Sequence, residues 1–396
     1  MTAPISPVLS AALAPPVMEA RRWIAGRTFP PERPLINLSQ AAPVDPPPEP
    51  LRRAIAEAAL EQPDSHLYGP VMGDAALREA VAARWSEDYR GDVAPEDVAI
   101  TSGCNQAFCA ALATLADPGD EVILPTPWYF NHRMWLDMAG ARAVPLPCAA
   151  DGLPDPGAAA RLIGPRTRAI VLVTPNNPTG AEYPPALIGA FFDLCAARGL
   201  ALVVDETYRD FRAAEGPAHG LFARGFWRET LVHLYSFSKA FRLTGHRVGA
   251  MMAGPERLAQ AEKFLDTVTI CPSRLGQIAA LEGLRRLSDW VAGERREILA
   301  RRAAVEAAFA AGVGDWRLRS CGAYFAFLEH PFDADSDAVA KALVDASALL
   351  TLPGTMFAPR RAEGGDGAAE RTLRLAFANA DAAGLAETFA RLAAFR

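Results

Sequence analysis

The run Ser236-Phe237-Ser238-Lys239, with Arg247 eight residues beyond the lysine, gathers two hydroxyls, one amine and one guanidinium behind an apolar stretch. An amine of this kind can condense with a carbonyl. Hydroxyls and a planar, fork-shaped guanidinium suit a phosphate dianion. Three other turns carry chemistry in the same way: Ser102-Gly103-Cys104, Pro175-Asn176-Asn177-Pro178-Thr179-Gly180 and Asp205-Glu206-Thr207-Tyr208. Each alone reads as an ordinary polar turn, because Asn, Pro, Gly, Ser and Asp are turn formers. Their number and order make the pattern informative.

Each of these turns follows a short apolar run, at residues 98–101, 169–174, 200–204 and 231–235, and a further run lies at 121–124. Helical spacing separates several of them, at 74–85 with Asp74 as candidate N-cap, at 106–115 and at 185–198. Short apolar runs alternating with helices describe a parallel sheet buried on both faces. In such sheets reactive groups collect beyond the carboxyl ends of the strands. After residue 285 the character changes to a long Ala/Arg helix at 290–311, strand-like 324–328 and 372–378, and a closing helix from Ala382. The first 50 residues are interrupted by twelve prolines. They leave room for one short helix at 17–25, the rest being extended, as in an arm laid over a neighbouring subunit or over the protein's own cleft. The expected fold is therefore α/β. A three-layer αβα large domain with a mostly parallel sheet spans 49–285, and a smaller α+β domain spans 286–396. Residues 1–48 form an N-terminal arm and part of the small domain.

At 396 residues the chain exceeds one simple core. A net charge of −6 without long like-charge runs argues against a nucleic-acid or membrane-surface footprint. Six scattered cysteines form no C-x-x-C pair, so neither a zinc site nor a disulfide framework is expected, and a reducing, cytoplasmic setting fits. The proline-broken N-terminus does not read as a signal peptide. Ser236-x-x-Lys239 also fits the S-x-x-K string of penicillin-binding proteins, but the S-D-N and K-T-G strings that accompany it there are not in the sequence.

In combination the four turns resemble the aspartate aminotransferase family, the fold type I class I/II aminotransferases that use pyridoxal 5'-phosphate (PLP). The likeness runs from about Leu35 to Phe377. It implies transfer of an amino group from an L-amino acid to a 2-oxo acid by a ping-pong cycle. Lys239 is then the Schiff-base lysine and proton shuttle, Asp205 the partner of the cofactor's pyridine nitrogen, and Tyr208 and Asn177 the donors to its phenolic oxygen. Ser102, Gly103, Cys104, Ser236, Ser238 and Arg247 form the phosphate cup, and Trp128 stacks on the ring, with Tyr129 its rival. Arg374 grips the substrate α-carboxylate, with Arg371 as near neighbour, and Asn177 and Ala41 also face the substrate. Tyr68 reaches the phosphate from the other subunit of a homodimer.

Several positions depart from the family. Ser39-Gln40-Ala41-Ala42-Pro43 stands where many relatives carry Gly-x-Gly before an acidic residue and proline. Asn105 stands where one aspartate-using branch has lysine, and Arg274 lies in roughly the region of a distal-carboxylate arginine. Trp128, Tyr129, Phe130 and Trp135 suggest room for an aromatic or bulky apolar side chain. β-Elimination, as in C–S lyases of the same scaffold, is the alternative reaction.

Overall fold

The computed structural model describes residues 3–396. Its centre is a seven-stranded sheet. In spatial order the strands are Val98–Thr101, Gly249–Met252, Leu231–Ser236, Ala201–Asp205, Thr167–Val173, Glu121–Thr126 and Arg142–Pro147. All run parallel except Gly249–Met252, which is antiparallel to both neighbours. Both faces are dry. Along Ala201–Asp205, Leu202 and Val204 enter one hydrophobic cluster, while Ala201 and Val203 enter the other. That period of two, apolar on both sides, is why these strands read as continuous apolar runs.

Two strands of this sheet were not expected from the sequence. Arg142–Pro147 is an edge strand with alternating exposure, which tolerates Pro145 and Pro147 because an edge leaves donors unpaired. Gly249–Met252 has no β-branched residue and so carries little strand signal. The helix expected from Asp74 runs Ala75–Tyr89. Asp74 does not cap it with its side chain; its carboxylate pairs with Arg274 at 3.1 Å.

A second, antiparallel sheet follows the order Leu352–Pro353, Thr372–Leu375, Phe325–Glu329, Arg317–Gly322. The helices Ser288–Ala311 and Ala382–Ala394 contribute Ile298, Val305, Leu385 and Leu392 to its core. Leu38 and Ala41 join that same core, and Ile36–Asn37 pairs with Leu349–Leu350, so the chain's beginning is stitched to its end. Near the N-terminus the helix expected at 17–25 is Pro16–Trp23. A further short helix, Pro7–Ala11, begins with proline at its first position, where the missing N–H costs nothing.

The two sheets meet at Gly180 and Gly322, where a Cβ on either would land on the backbone of the other. Ser320 Oγ donates to Thr179 O at 2.7 Å beside that contact. Gly180 also has φ +76°, a conformation unfavourable for L side chains. Gly180→Ala is expected to cost roughly 1–3 kcal/mol of stability, read as a lower urea midpoint; an unchanged midpoint contradicts this packing.

Candidate active site

The four loaded turns converge on a cavity of about 630 Å³ at the carboxyl ends of the parallel strands. At one end, the chain leaves strand Leu231–Ser236 and turns into the short helix Phe237–Ala240. Ser236 Oγ accepts from the Ser238 N–H at 3.3 Å, and Ser238 Oγ accepts from Arg247 Nη1 at 3.3 Å. Opposite stands the start of helix Cys104–Ala113. Gly103, at φ +87°, brings that start against Arg247: a Cβ there would collide with the guanidinium. Gly249 does the same from below, since its Cβ would meet the Cys104 nitrogen at 2.7 Å. A guanidinium, two hydroxyls and a helix start, with no carboxylate paired to the arginine among the described residues, make a phosphate-shaped donor set. Ser102 lies behind it, its N–H donating to Gln106 Oε1 at 2.6 Å.

Asp205 closes strand Ala201–Asp205 and is buried. Its Oδ2 lies 3.3 Å from His132 Nε2, and its Oδ1 accepts from the Thr207 N–H at 3.0 Å. Burial pushes this carboxyl up, but the bonds from His132 and Thr207 outweigh it and hold the pKa below the ordinary value. Cys104 lies beside it, its thiol pushed far up by burial and then by the Asp205 charge.

Lys239 Nζ donates to the Ala41 carbonyl, and the amine sits 5.7 Å from the Tyr208 ring centroid. Burial, then the charges of Arg374 and Arg247, pull its pKa down to about 7. Arg374, on strand Thr372–Leu375, is 2 % exposed. It donates to Asn177 Oδ1 at 3.0 Å and to the Ser39 carbonyl, lies over the Phe325 and Phe357 rings, and leaves Nε without a partner. Burial pulls its pKa down to about 10. Arg371 instead donates to the carbonyls of Phe332 and His330, outside the cavity. Tyr208 is buried against Tyr324 and Phe325, and burial keeps its hydroxyl protonated well above 10.

Not every expected residue faces the cavity. Trp128 does not: it packs into the cluster with Leu124 and Leu136, its ring beneath Arg133. The neighbouring Tyr129 lines the cavity instead, donating to Asn105 Oδ1 at 3.3 Å and accepting from Asn131 at 2.8 Å. Tyr129 caps helix Phe130–Ala139 in an extended conformation, where adjacent residues point to opposite sides. Trp135 also packs away, against Phe264. Tyr68 is 79 % exposed and lies outside the cavity of this chain.

Sequence reading missed His132, which stacks on Phe108 at 3.8 Å and holds Asp205. Its helix, rich in aromatic residues and Asn, gave little helical signal. It also missed Val17, Met18, Arg21 and Gln40 on the cavity wall. Behind Asp205, Glu206 Oε2 accepts from Tyr89 and lies 2.7 Å from His233 and 3.6 Å from His219. The Leu221 N–H donates to His219 Nδ1, so the His219 proton sits on Nε2, facing Glu206. Tyr89 and His233 thus bond one buried carboxylate, with His219 beside it beyond hydrogen-bond reach, a brace beneath the Asp205 strand end.

A family model for aminotransferases of class I and II matches residues 33–392. A probable aspartate/prephenate aminotransferase of Thermus aquaticus is 32% identical, covering 78% of this chain and 79% of that one. A probable N-succinyldiaminopimelate aminotransferase of Mycobacterium tuberculosis is 32% identical over 67% of this chain and 68% of its own. The solved aspartate aminotransferase from Thermus thermophilus with maleate superposes with a TM-score of 0.89 at 25% identity, over 100% of both chains. The chain belongs to the class I and II aminotransferases, which have fold type I and depend on PLP. It is a transaminase, moving an amino group from an amino acid to a 2-oxo acid.

The whole chain contains three lysines, and Lys263 and Lys341 are exposed. Acylation of Lys239 by a small amine-directed reagent, followed by peptide mass mapping of the apoprotein, should rise through a midpoint near pH 7. It should level off by about pH 9, well below the range of an ordinary lysine. Arg374→Met should move that midpoint upward. A profile still climbing beyond pH 9 contradicts the electrostatics described.

Proposed function

We propose that PLP binds in this cavity, with its phosphate at Ser236, Ser238, Arg247 and the Cys104 helix start. Asp205 would face its ring nitrogen, Tyr208 and Asn177 its phenolic oxygen, and Lys239 its aldehyde. The donor set supports this reading: Arg247 has only neutral partners, a Cβ at Gly103 would fill the cradle beneath it, and Asp205 is kept ionised. Bound there, PLP supplies an electron-withdrawing ring that stabilises the electron pair released when the substrate's Cα–H bond breaks.

The chain's own groups do the rest. Arg374 holds the substrate α-carboxylate, to which its buried, carboxylate-free guanidinium is suited. Lys239, with a pKa about 7, is half deprotonated near neutrality, so the same amine can take a proton and return it. Asp205 keeps its charge because His132 and Thr207 hold it, and so keeps the ring protonated. Tyr129 is the residue we assign to the ring face.

The single observation that carries this reading is Lys239, a buried amine with a depressed pKa that lines one cavity with an ionised Asp205 and with Arg374, whose bonds are to neutral oxygens. The expected division at residues 48 and 285 belongs to the same reading. It is supported by Leu51 packing into the first core while Leu38 and Ile298 pack into the second. A homodimer with Tyr68 contributed across the interface is part of it as well, supported by the exposure of Leu67, Tyr68, Val268 and Ile270. So is a cytoplasmic setting, supported by six unpaired cysteines; no helix among the described residues is long and apolar enough to cross a membrane. The relatives quoted are all aminotransferases by name, which favours transamination over β-elimination. The expectation of an aromatic or bulky apolar substrate loses support, because Trp128 and Trp135 face away from the cavity.

The test is a half-reaction screen: the PLP form is mixed with each amino acid and conversion to the pyridoxamine form is followed by absorbance. Conversion is expected with at least one L-amino acid, and Lys239→Ala should slow it by about 10²–10⁴-fold. No conversion with any common L-amino acid contradicts the proposal.

A further inference from the structure

Residues 39–42 form part of the cavity wall, with Gln40, Ala41 and Ala42 on its lining. The backbone is tied to the fold as far as Leu38, whose N–H donates to Leu350 O at 2.8 Å and whose carbonyl accepts from the Ala376 N–H at 2.9 Å. Beyond Leu38 the strand Thr372–Leu375 has ended, and the neighbouring chain turns through Phe377–Asn379. Among the described residues, no backbone bond joins 39–42 to another element. The one such bond it makes is internal, from the Ala42 N–H to Gln40 O at 3.0 Å. Side chains must hold it.

Two of those side chains are the cavity's own cations: Arg374 donates to Ser39 O and Lys239 to Ala41 O. The reading above gives each another partner, the substrate α-carboxylate and the cofactor aldehyde, so their hold on the segment competes with that work. Arg21 reaches only the Gln40 side chain. Asn379 has no second duty. Its Nδ2 donates to Gln40 O and, at 3.3 Å, to Asn37 O, and its Oδ1 accepts from the Ala42 N–H at 3.4 Å. One amide thus serves both ends of the segment. Asn37 works from the near end, its Oδ1 accepting from the Ser39 N–H at 3.1 Å and from Ser39 Oγ at 2.7 Å. The carbonyls alternate in consequence. Those of Leu38 and Gln40 go to Ala376 and Asn379, those of Ser39 and Ala41 to Arg374 and Lys239.

We propose that Asn379 is a positioning residue for substrate binding: its side chain takes over from the backbone bonds that end at Leu38 and holds Ser39 O against Arg374. The assignment rests on reading the cavity as the transamination site. Without the Asn379 amide, Gln40 O loses its outside donor and residues 39–42 are held by the cations alone. The Arg374 guanidinium then loses its fixed acceptor, and ordering it falls to the incoming carboxylate, which weakens binding. Arg374 meets that carboxylate in the ground state and in the transition state alike, so the loss falls on the half-saturating concentration and not on the maximal rate.

The experiment compares the wild type with Asn379→Leu, which keeps the shape and removes the bonds, and with Asn379→Gln, which keeps an amide. Asn379 is half-buried and outside the cavity lining, so both should fold, which a thermal melt checks. Two quantities are read. One is the half-reaction of the holoenzyme with L-glutamate, L-aspartate and L-alanine, as maximal rate and half-saturating concentration. The other is deuterium uptake, in the apoprotein, of the peptide spanning residues 39–42. Asn379→Leu should raise the half-saturating concentration about 10-fold while the maximal rate stays within about threefold. Its early uptake should rise about twofold or more. Asn379→Gln should recover part of both. A half-saturating concentration within about twofold of the wild type, a loss confined to the maximal rate, or unchanged uptake overturns the assignment. Conversion by the wild type upholds the transamination reading whatever the variants do, and the uptake needs no turnover, so failure of the one is distinguishable from failure of the other.

Discussion

A guanidinium buried to 2 % exposure, paired with no carboxylate among the described residues, is the constraint around which this protein is organised. Burying a cation without an opposite charge is costly. Here the cost shows in the neighbouring groups: Arg374 is pulled down to about 10 and Lys239 to about 7. Neutral oxygens from Asn177 and Ser39 satisfy the guanidinium only in part, leaving Nε without a partner. Two sheets have to be held together to sustain this. Arg374 stands on the antiparallel sheet, whereas Asn177 and Lys239 follow strands of the parallel one. The contact of Gly180 with Gly322 therefore does more than pack two cores: it fixes the distance between the halves of the site.

At Asp205 the balance is reversed. Asp205 keeps its negative charge in a buried place because His132 and Thr207 supply donors, and Glu206, one residue on, is stabilised by Tyr89, His233 and His219 in the same fashion. The site thus sets four cations, Arg21, Lys239, Arg247 and Arg374, around a single carboxylate, Asp205, in one cavity. A cofactor with a phosphate and a protonatable ring, together with the carboxylate of an amino acid, complements such a charge pattern without further rearrangement. The leading segment of the chain completes it, since Pro16–Trp23 and Ser39–Ala41 supply the wall that the sheets leave open.

Much of this was legible in the sequence. Strands buried on both faces announce themselves as apolar runs, and the polar turns behind them carry the chemistry, so Lys239, Asp205, Asn177 and Arg247 stand out from their settings, whereas Arg374, inside a strand, is singled out only by the family resemblance. What escaped had no local signal. His132 matters only because Asp205 lies beside it in space, and Arg21 and Gln40 matter only because the N-terminal segment folds over the cleft. Trp128 and Tyr129 differ by one residue, and no pattern tells which faces inward until the helix start at Phe130 sets the direction of each. Arg142–Pro147 was hidden by prolines that only an edge permits, and Gly249–Met252 by the lack of any β-branched residue.

The central claim is that Lys239 is the one amine placed to bond the cofactor. Reduction of the PLP-loaded protein with borohydride, followed by peptide mass mapping, tests it most directly, because the chain has only three lysines. The account predicts a phosphopyridoxyl group on the peptide containing Lys239 and none on those containing Lys263 or Lys341. Label on either of the latter, with Lys239 unmodified, would contradict it.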